Sequence, residues 1–315
     1  MDEIDLQICQ LLMANSRLPQ RDIADKLGIG VAIVHRRMQS LVDQGVIKGF
    51  TASISRSYLG AVGAQLDGVC ECAILEGSLD QLKKNGSVSS VLTSAANLTS
   101  LTLILRSIED LGPTAENIAK ILKMSRPSVT ISMKVLVGTE PLEREFTGDR
   151  KLTQLDYRII NALHQNARKP IIDLADEINI TPKTARYHLE MMEQEGSVQY
   201  ELNWDPARTA GATFIVRIGL KPGCDRTEFI NQIKKRYGAT FILTFIHSNI
   251  MDQVCGYCWA PTVGKHSDLI TSLKSESMVA DVRSGIVHDQ WSFETWRDTL
   301  LRERASKVTV QIPMR

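Results

Sequence analysis

Residues 4–29 read IDLQICQLLMANSRLPQRDIADKLGI, and residues 155–180 read LDYRIINALHQNARKPIIDLADEINI. The two stretches align without a gap at an offset of about 150 residues. The alignment contains identical pairs at Asp5/Asp156, Ile8/Ile159, Leu12/Leu163, Asn15/Asn166, Arg17/Arg168, Pro19/Pro170, Asp22/Asp173, Ala24/Ala175, Ile29/Ile180 and, further along, Gly45/Gly196. So many coincidences in one register indicate that the chain contains two copies of one architecture.

Each copy begins with three predicted helices. In the first copy, apolar residues recur at helical spacing from Ile4 to Leu12, and Pro19 starts a second helix. Glycine tolerates a positive φ, so Gly28-Ile29-Gly30 predicts a tight turn. The helix after the turn has a predicted buried face of Val34, Met38 and Leu41. The second copy repeats this order, which is typical of a helix-turn-helix unit.

After each set of helices the apolar period becomes that of a strand. A βαββαβ pattern follows in both copies, which predicts an α+β fold: two copies of a helix-turn-helix unit, each followed by a ferredoxin-like domain. The predicted strands lie near 65–75, 87–94, 99–106 and 127–136, then near 212–220, 239–247, 251–260 and 279–288. The predicted helices between them lie near 78–85, 113–123, 226–236 and 264–275.

These patterns divide the chain into six segments. They are a first helix-turn-helix unit (1–48), a first βαββαβ domain (49–137), a linker (138–151), a second helix-turn-helix unit (152–200), a second βαββαβ domain (201–290), and a C-terminal helix and tail (291–315). The linker is charged and contains Pro141 and Gly148, as expected of a connecting segment.

Composition excludes several protein classes. The chain has 315 residues, 43% of them hydrophobic, and 37 Lys and Arg residues against 36 Asp and Glu, for a net charge of +1. A uniformly basic histone-like protein and a long acidic tail are therefore excluded. The acidic N-terminus does not resemble a signal peptide, no apolar run is long enough for a membrane span, and the six cysteines are scattered. We expect a protein of the reducing cytoplasm.

The motifs of the first copy closely resemble those of the Lrp/AsnC family of transcription regulators, also known as the feast/famine regulators. The resemblance extends over essentially the whole chain and is strongest in the first helical unit. The matching segments are Asp5-Leu6-Gln7-Ile8, Asn15-Ser16-Arg17, Ile23-Ala24-Asp25-Lys26-Leu27-Gly28-Ile29, Val34-His35-Arg36-Arg37-Met38 and Gly45-Val46-Ile47-Lys48-Gly49-Phe50-Thr51-Ala52.

The resemblance implies a fold, partners and a ligand site. Members of the family carry one copy of each domain and dimerise through their βαββαβ sheets, so this tandem chain is expected to mimic a dimer with its two sheets packed together. It also implies a homo-oligomer that forms through the βαββαβ sheets, and a small-molecule effector that binds near the turn between the second and third strands. The residues at the matching turns are Asn97, Asn249 and Asp252; only Asp252 retains the family's acid, and the usual glycine is absent.

The third helix of the first unit is the predicted recognition helix, because a helix fits the major groove and guanidinium and amide groups can bind base edges. Arg21 and Lys48 are placed for phosphate contacts. An alternative for Arg37 is an ion pair with an acidic side chain of the first helix. The full predicted DNA-binding set is Arg21, Ala32, Ile33, His35, Arg36, Arg37, Gln39 and Lys48.

The two helical units differ in charge. Residues 20–49 contain five basic and three acidic side chains, whereas residues 171–200 contain two basic and six acidic ones. Phosphate attraction supplies much of the affinity for DNA. We therefore expect the second unit to bind DNA more weakly, through Lys183, Thr184, Arg186 and Tyr187.

The remaining residues that could carry chemistry have mainly structural interpretations, and a redox-sensitive thiol pair is the alternative for the cysteines. Cys255 and Cys258 are three residues apart on a predicted strand, so they face opposite sides, and no second pair exists at zinc-site spacing. His247 and His288 lie at predicted strand ends, and no cluster of His and Arg is predicted in the sheets. We expect no metal, no cofactor and no catalytic residues.

The sequence thus favours a regulator that binds double-stranded DNA and has no membrane association. Two alternatives stay open. Certain tetrapyrrole decarboxylases of the siroheme type reuse this two-domain fold, sometimes in tandem, and a ligand-sensing or assembly module would need no DNA.

Overall fold

The computed structural model describes residues 1–71, 74, 76–138 and 140–306, so Cys72, the end of the strand predicted at 65–75, and the tail after Ser306 lie outside the described residues. The α-helices are α1 (Glu3–Ala14), α2 (Gln20–Leu27), α3 (Val31–Asp43), α4 (Arg56–Leu59), α5 (Glu76–Asn85), α6 (Leu111–Ile121), α7 (Gln154–His164), α8 (Ile171–Glu177), α9 (Pro182–Glu195), α10 (Arg226–Tyr237), α11 (Val263–Lys274) and α12 (Trp296–Ser306). The strands are β1 (Ile47–Ile54), β2 (Val62–Cys70), β3 (Val88–Ser94), β4 (Leu98–Leu105), β5 (Met124–Val137), β6 (Glu140–Pro141), β7 (Val198–Trp204), β8 (Ala212–Leu220), β9 (Phe241–His247), β10 (Gln253–Ala260) and β11 (Val279–Ser292).

The first helix of each copy starts with the same reciprocal cap. The Asp2 carboxylate accepts a hydrogen bond from the Asp5 backbone N–H, and the Asp5 carboxylate accepts one from Asp2. Thr153 and Asp156 repeat this arrangement at the start of α7. These caps satisfy backbone donors that a helix leaves unpaired at its N-terminus. The predicted helix-turn-helix pattern is confirmed in both copies.

The two helical units are joined by a two-stranded sheet. Strands β1 and β7 pair antiparallel from Ile54 opposite Val198 to Ile47 opposite Trp204, with a bulge at Lys48. Helix α1 packs against β7 and α7 packs against β1, so each unit contributes a strand to the core of the other. The segment boundaries predicted after residues 48 and 200 fall inside these two strands.

Two equivalent arginines cross between the helical units. The Arg17 guanidinium donates hydrogen bonds to the carbonyl oxygens of Ala167 and Lys169, and Arg168 donates to those of Ser16 and Leu18. Arg17 also lies over the Tyr200 ring, and Arg168 lies 5.3 Å from the centroid of the Phe50 ring. The exchange is reciprocal, as in a contact between the two protomers of a symmetric dimer.

The two βαββαβ domains close into one barrel. The first contributes the strand order β3-β4-β2-β5 and the second contributes β9-β10-β8-β11. Strand β5 then pairs with β9, and β11 pairs with β3, so the ring of strands returns to its start. The helices pack on the outer faces of the two sheets. The two sheets were expected to pack together. They do so through their edge strands, which are hydrogen-bonded to each other.

Strands β5 and β11 are long enough to serve both sheets. The first part of β5 pairs with β2 up to Ile131, and the part from Ser132 pairs with β9. Asn249 holds this transition, because its side chain accepts a hydrogen bond from the Ile131 N–H and donates one to the Val129 carbonyl. Strand β11 divides in the same way between β8 and β3.

The crossed arginines give a stability prediction. Arg168→Ala should lower the free energy of unfolding by about 1.5–3 kcal/mol, because it removes charge-assisted hydrogen bonds to two carbonyls in a half-buried contact. Chemical denaturation monitored by circular dichroism measures the change. The matched control is Arg144→Ala, at an exposed position. Equal midpoints for wild type and Arg168→Ala would contradict this role.

Candidate nucleic-acid interface

Helix α3 presents most of the predicted recognition residues to solvent. Val34, Met38 and Leu41 are buried and anchor the helix in the core of the first unit. The exposed residues of the predicted set on this helix are Ala32, Ile33, His35, Arg36 and Gln39. Among the residues that the structure describes, Arg36 forms no hydrogen bond or ion pair through its side chain. Its guanidinium is therefore available to a partner outside the chain.

Arg21 lies at the start of α2 and is also exposed. The N-terminus of a helix at a nucleic-acid surface is suited to phosphate contact, because its backbone N–H groups and dipole favour an anion. Arg21 and Arg36 together form an exposed cationic pair on two successive helices of the first unit.

Arg37 is engaged inside the protein. Its guanidinium forms ion pairs of 2.8 Å with both Asp2 and Asp5, which belong to the N-terminal cap of α1. The hydrogen bonds to Asp5 and Asp2 raise the pKa of Arg37 above its ordinary value. The structure therefore favours the alternative interpretation of this residue, a link between α3 and α1, over a contact with DNA.

Lys48 is also paired. It lies at the bulge in β1, and its ammonium group is 2.9 Å from the Asp205 carboxylate, which follows β7. This contact directs Lys48 toward the junction between the helical units and the barrel. We therefore leave both Arg37 and Lys48 out of the proposed DNA interface.

The second unit exposes Lys183, Arg186 and Tyr187 on α9, whereas the Thr184 hydroxyl is hydrogen-bonded to Thr181 at the start of the helix. Tyr187 occupies the position that corresponds to Arg36 and is 60% exposed. The exposed apolar Ile172 occupies the position of Arg21. The second unit thus lacks the cationic pair of the first.

His188 takes the place of Arg37 in the second unit. Its Nδ1 atom lies 2.7 Å from the Asp156 carboxylate, which also accepts a hydrogen bond from Arg150. Burial favours the neutral form of Asp156, but the hydrogen bonds from His188, Thr153 and Arg150 outweigh it and lower the Asp156 pKa. Both recognition helices are therefore fixed to the first helix of their unit by a polar contact at the same position.

The difference in charge between the two units is smaller at the surface than in the sequence. Three acidic residues of the second unit are engaged: Glu177 with Lys169, Glu193 with the Tyr200 hydroxyl, and Glu195 with Arg150. Two basic residues of the first unit, Arg37 and Lys48, are engaged as well. The exposed cations therefore differ mainly in position: Arg21 and Arg36 correspond to Ile172 and Tyr187, whereas Lys183 and Arg186 correspond to Ala32 and His35.

The three predicted effector residues have different roles. Asn97 lies in a short turn between β3 and β4 and has a positive φ of 57°. The Asn249 side chain is hydrogen-bonded to the backbone of β5 at Ile131 and Val129. Asp252 is exposed, and its backbone carbonyl accepts a hydrogen bond from the Leu220 N–H. Asn249 thus holds the fold through its side chain, which makes it a poor candidate ligand contact.

The barrel interior contains a polar cluster that sequence reasoning missed. Arg217 donates a 2.6 Å hydrogen bond to Asp67, and Ser100 bonds the same carboxylate. His247 is 1% exposed, and neither of its ring nitrogens has a hydrogen-bond partner among the described residues. Burial lowers its pKa; Asp67 opposes the shift, whereas Arg217 and Arg226 add to it. The expectation of no His and Arg cluster in the sheets is therefore wrong, because strands of both copies meet here.

The cysteine prediction agrees with strand geometry. Cys258 packs in the core between the second sheet and its helices, and Cys255 is buried near Arg217 and Asp67. Burial raises the pKa of Cys255 to about 12, which opposes formation of the reactive thiolate.

Within the described residues, no group of His, Cys, Asp and Glu is arranged to hold a metal ion. None of the described helices combines the length and apolar character that a membrane span requires.

Sequence comparison supports the helical units as DNA-binding modules. The model of the winged helix-turn-helix DNA-binding family matches residues 1–48 and 152–199. The regulator Ptr1 of Methanocaldococcus jannaschii is 31% identical over 137 residues, which are 42% of this chain and 93% of that protein. The regulator AldR of Mycobacterium tuberculosis is 40% identical over 60 residues, 19% of this chain and 34% of AldR.

The chain belongs to the Lrp/AsnC family of transcription regulators. Its tandem form has a structural counterpart outside the regulators. The siroheme decarboxylase NirDL shares the fold over 97% of this Lrp/AsnC chain and 99% of its own, with a TM-score of 0.53 and 12% identity.

The adjacent arginines of α3 should respond differently to truncation. Arg37→Ala should lower the free energy of unfolding by about 1 kcal/mol, because it removes a partly exposed ion pair to the cap of α1. Arg36→Ala is the matched control and should leave the melting temperature unchanged. Differential scanning calorimetry of both variants checks this. If the two variants melt together, the assignment of Arg37 to folding fails.

Proposed function

We propose that the chain is a sequence-specific regulator of transcription that binds double-stranded DNA mainly through its first helical unit. The observation that carries the proposal is Arg36, which is exposed and unpaired within the described chain on a helix fixed by Val34, Met38 and the Arg37 contact. A guanidinium at this place can reach a guanine edge or a phosphate in the major groove. The relatives named as regulators support the same proposal.

We propose that the two helical units of one chain bind DNA together, as the two subunits of a dimer would. The β1–β7 sheet and the crossed Arg17 and Arg168 hold the two helical units together. Two linked recognition helices suit two half-sites on one face of DNA. Because Tyr187 stands in the second unit at the position that Arg36 occupies in the first, the preferred site would have unequal halves.

The further partners of this regulator also belong to the proposal. A small-molecule effector fits the family, and we expect the protein to act in the cytoplasm. Homo-oligomers would have to form through outer surfaces, since the barrel strands already pair around a closed ring.

Binding should weaken steeply with salt. Each phosphate that a cation neutralises releases counterions, so log K should fall by about 0.9 per contact for each tenfold rise in salt. With one phosphate neutralised by each of Arg21 and Arg36, a slope of about −1.8 is expected. Fluorescence anisotropy of a labelled specific duplex at several salt concentrations measures it. A salt-independent affinity would contradict the proposed interface.

The two units should contribute unequally. Arg36→Ala should weaken specific binding by about 1–3 kcal/mol. Arg186→Ala should cost less than half as much, because the exposed Glu190 lies one helical turn away and repels phosphate. Titration of one duplex with both variants at the same salt, after thermal melts confirm equal stability, provides the test. Equal losses would show that both units bind DNA alike.

A tetrapyrrole decarboxylase is the second candidate, favoured by the fold shared with NirDL and by the buried His247 with the half-buried Arg217 and Arg226 near it. The cluster is a weak candidate for a site, since Arg217 is paired with Asp67 and Arg226 is bound to backbone carbonyls. The absorbance spectrum of the purified protein with added iron uroporphyrin separates the candidates. A saturable shift of the porphyrin band that His247→Ala abolishes would favour the enzyme.

A further inference from the structure

The first turn of the proposed recognition helix exposes apolar side chains. Val31 and Ile33 of α3 are 45% and 38% exposed, and Ala32 between them is exposed as well. Single exposed apolar residues are common on protein surfaces and need no partner. These three are consecutive and stand on the helix that is proposed to enter the major groove.

Ile33 and Ala32 share a face of α3 with the free Arg36. Ile33 precedes Arg36 by three residues and Ala32 precedes it by four, so both are its neighbours on the helix surface. The opposite face is the one that anchors the helix, through the buried side chains of Val34, Met38 and Leu41. Ile33 and Arg36 would therefore meet the same part of a bound duplex.

The Ile33 side chain lies close to the start of the helix. A Cβ atom added to Gly30 would be 4.0 Å from the Ile33 Cδ1 atom. Gly30 has no side chain and Ala32 has only a methyl group, so neither residue holds an approaching surface away from Ile33. In helix-turn-helix proteins this first part of the recognition helix contacts the base edges.

The side chains of this turn offer no hydrogen bond to a base, because all three are apolar. Gln39, two turns further on, could bind adenine, but its amide donates a 2.8 Å hydrogen bond to Asp43. The side chains of the first turn can therefore recognise a base only by apolar contact. In the major groove, the C5-methyl group of thymine is the apolar group that distinguishes one base pair from another.

We propose that Ile33 binds the C5-methyl group of a thymine in the half-site that Arg36 contacts. This inference rests on the proposed function and adds the base that the first unit selects. Ile33 packs on the methyl group, while Arg36 binds a neighbouring guanine edge or phosphate. The second unit lacks this side chain, since Thr184 occupies the position of Ile33.

Replacement of thymine by uracil tests the proposal, because it removes the methyl group and keeps the hydrogen-bonding groups of the base. The full chain first selects a duplex from a random library, and the half-site whose protection Arg36→Ala weakens is identified by footprinting. Each thymine of that half-site is then replaced in turn, and fluorescence anisotropy measures the affinity. At one position, uracil should lower the affinity about fourfold, the effect expected of one methyl group that is no longer buried.

Two variants connect that thymine to Ile33. In Ile33→Ala the same uracil should change the affinity by less than about 1.5-fold, since the side chain that contacts the methyl group is gone. Val42→Ala is the matched control, because Val42 is 40% exposed near the other end of the same helix, and it should keep the fourfold difference. Both positions are exposed, so thermal melts of the two variants should match that of the wild type.

The results separate this inference from the proposed function. A chain that selects no duplex overturns the proposed function and this inference with it. Three results overturn this inference alone: a half-site without thymine, equal affinity with thymine and uracil at every position of the half-site, or a uracil effect of the same size in wild type and Ile33→Ala.

Discussion

Backbone hydrogen bonds between the two copies of the repeat hold this molecule together. Within the part of the chain that the structure describes, strand β1 pairs with β7 alone, and the barrel closes through the pairing of β5 with β9 and of β11 with β3. A single copy would expose these strand edges to water and to other chains, which proteins generally avoid. The closed ring of strands, the shared helical cores and the crossed arginines are all contacts between the two copies, which cover the strand edges of each.

The pairing between copies has also allowed them to diverge. Asp67 and Arg217 occupy equivalent positions in β2 and β8, and they form an ion pair with each other inside the barrel. In a symmetric dimer of either copy, like charges would meet at this place. Complementary residues therefore favour pairing of unlike copies, and the same freedom allows Arg36 in one recognition helix and Tyr187 in the other.

The sequence predicted the elements because their periods and caps are local. The strand predicted at 212–220 is β8, and the helix predicted near 226–236 is α10, whose first turn is capped by Asp225. The long-range contacts were not predictable in the same way. The pairing of Lys48 with Asp205 depends on the β1–β7 register, and Asn249 reaches β5 across more than a hundred residues. Two of the predicted DNA-binding cations, Arg37 and Lys48, are therefore ion-paired within the chain, whereas Arg21 and Arg36 are exposed.

A hydroxyl-radical footprint of the purified chain on a duplex selected from a random library tests most directly the claim that one chain acts as an unequal dimer. We expect one chain per duplex, with two protected segments on one face about ten base pairs apart. One segment should be protected more strongly, and Arg36→Ala should weaken that segment first. A single protected segment, or a footprint that forms only when two chains bind, would show that one chain does not act as an unequal dimer.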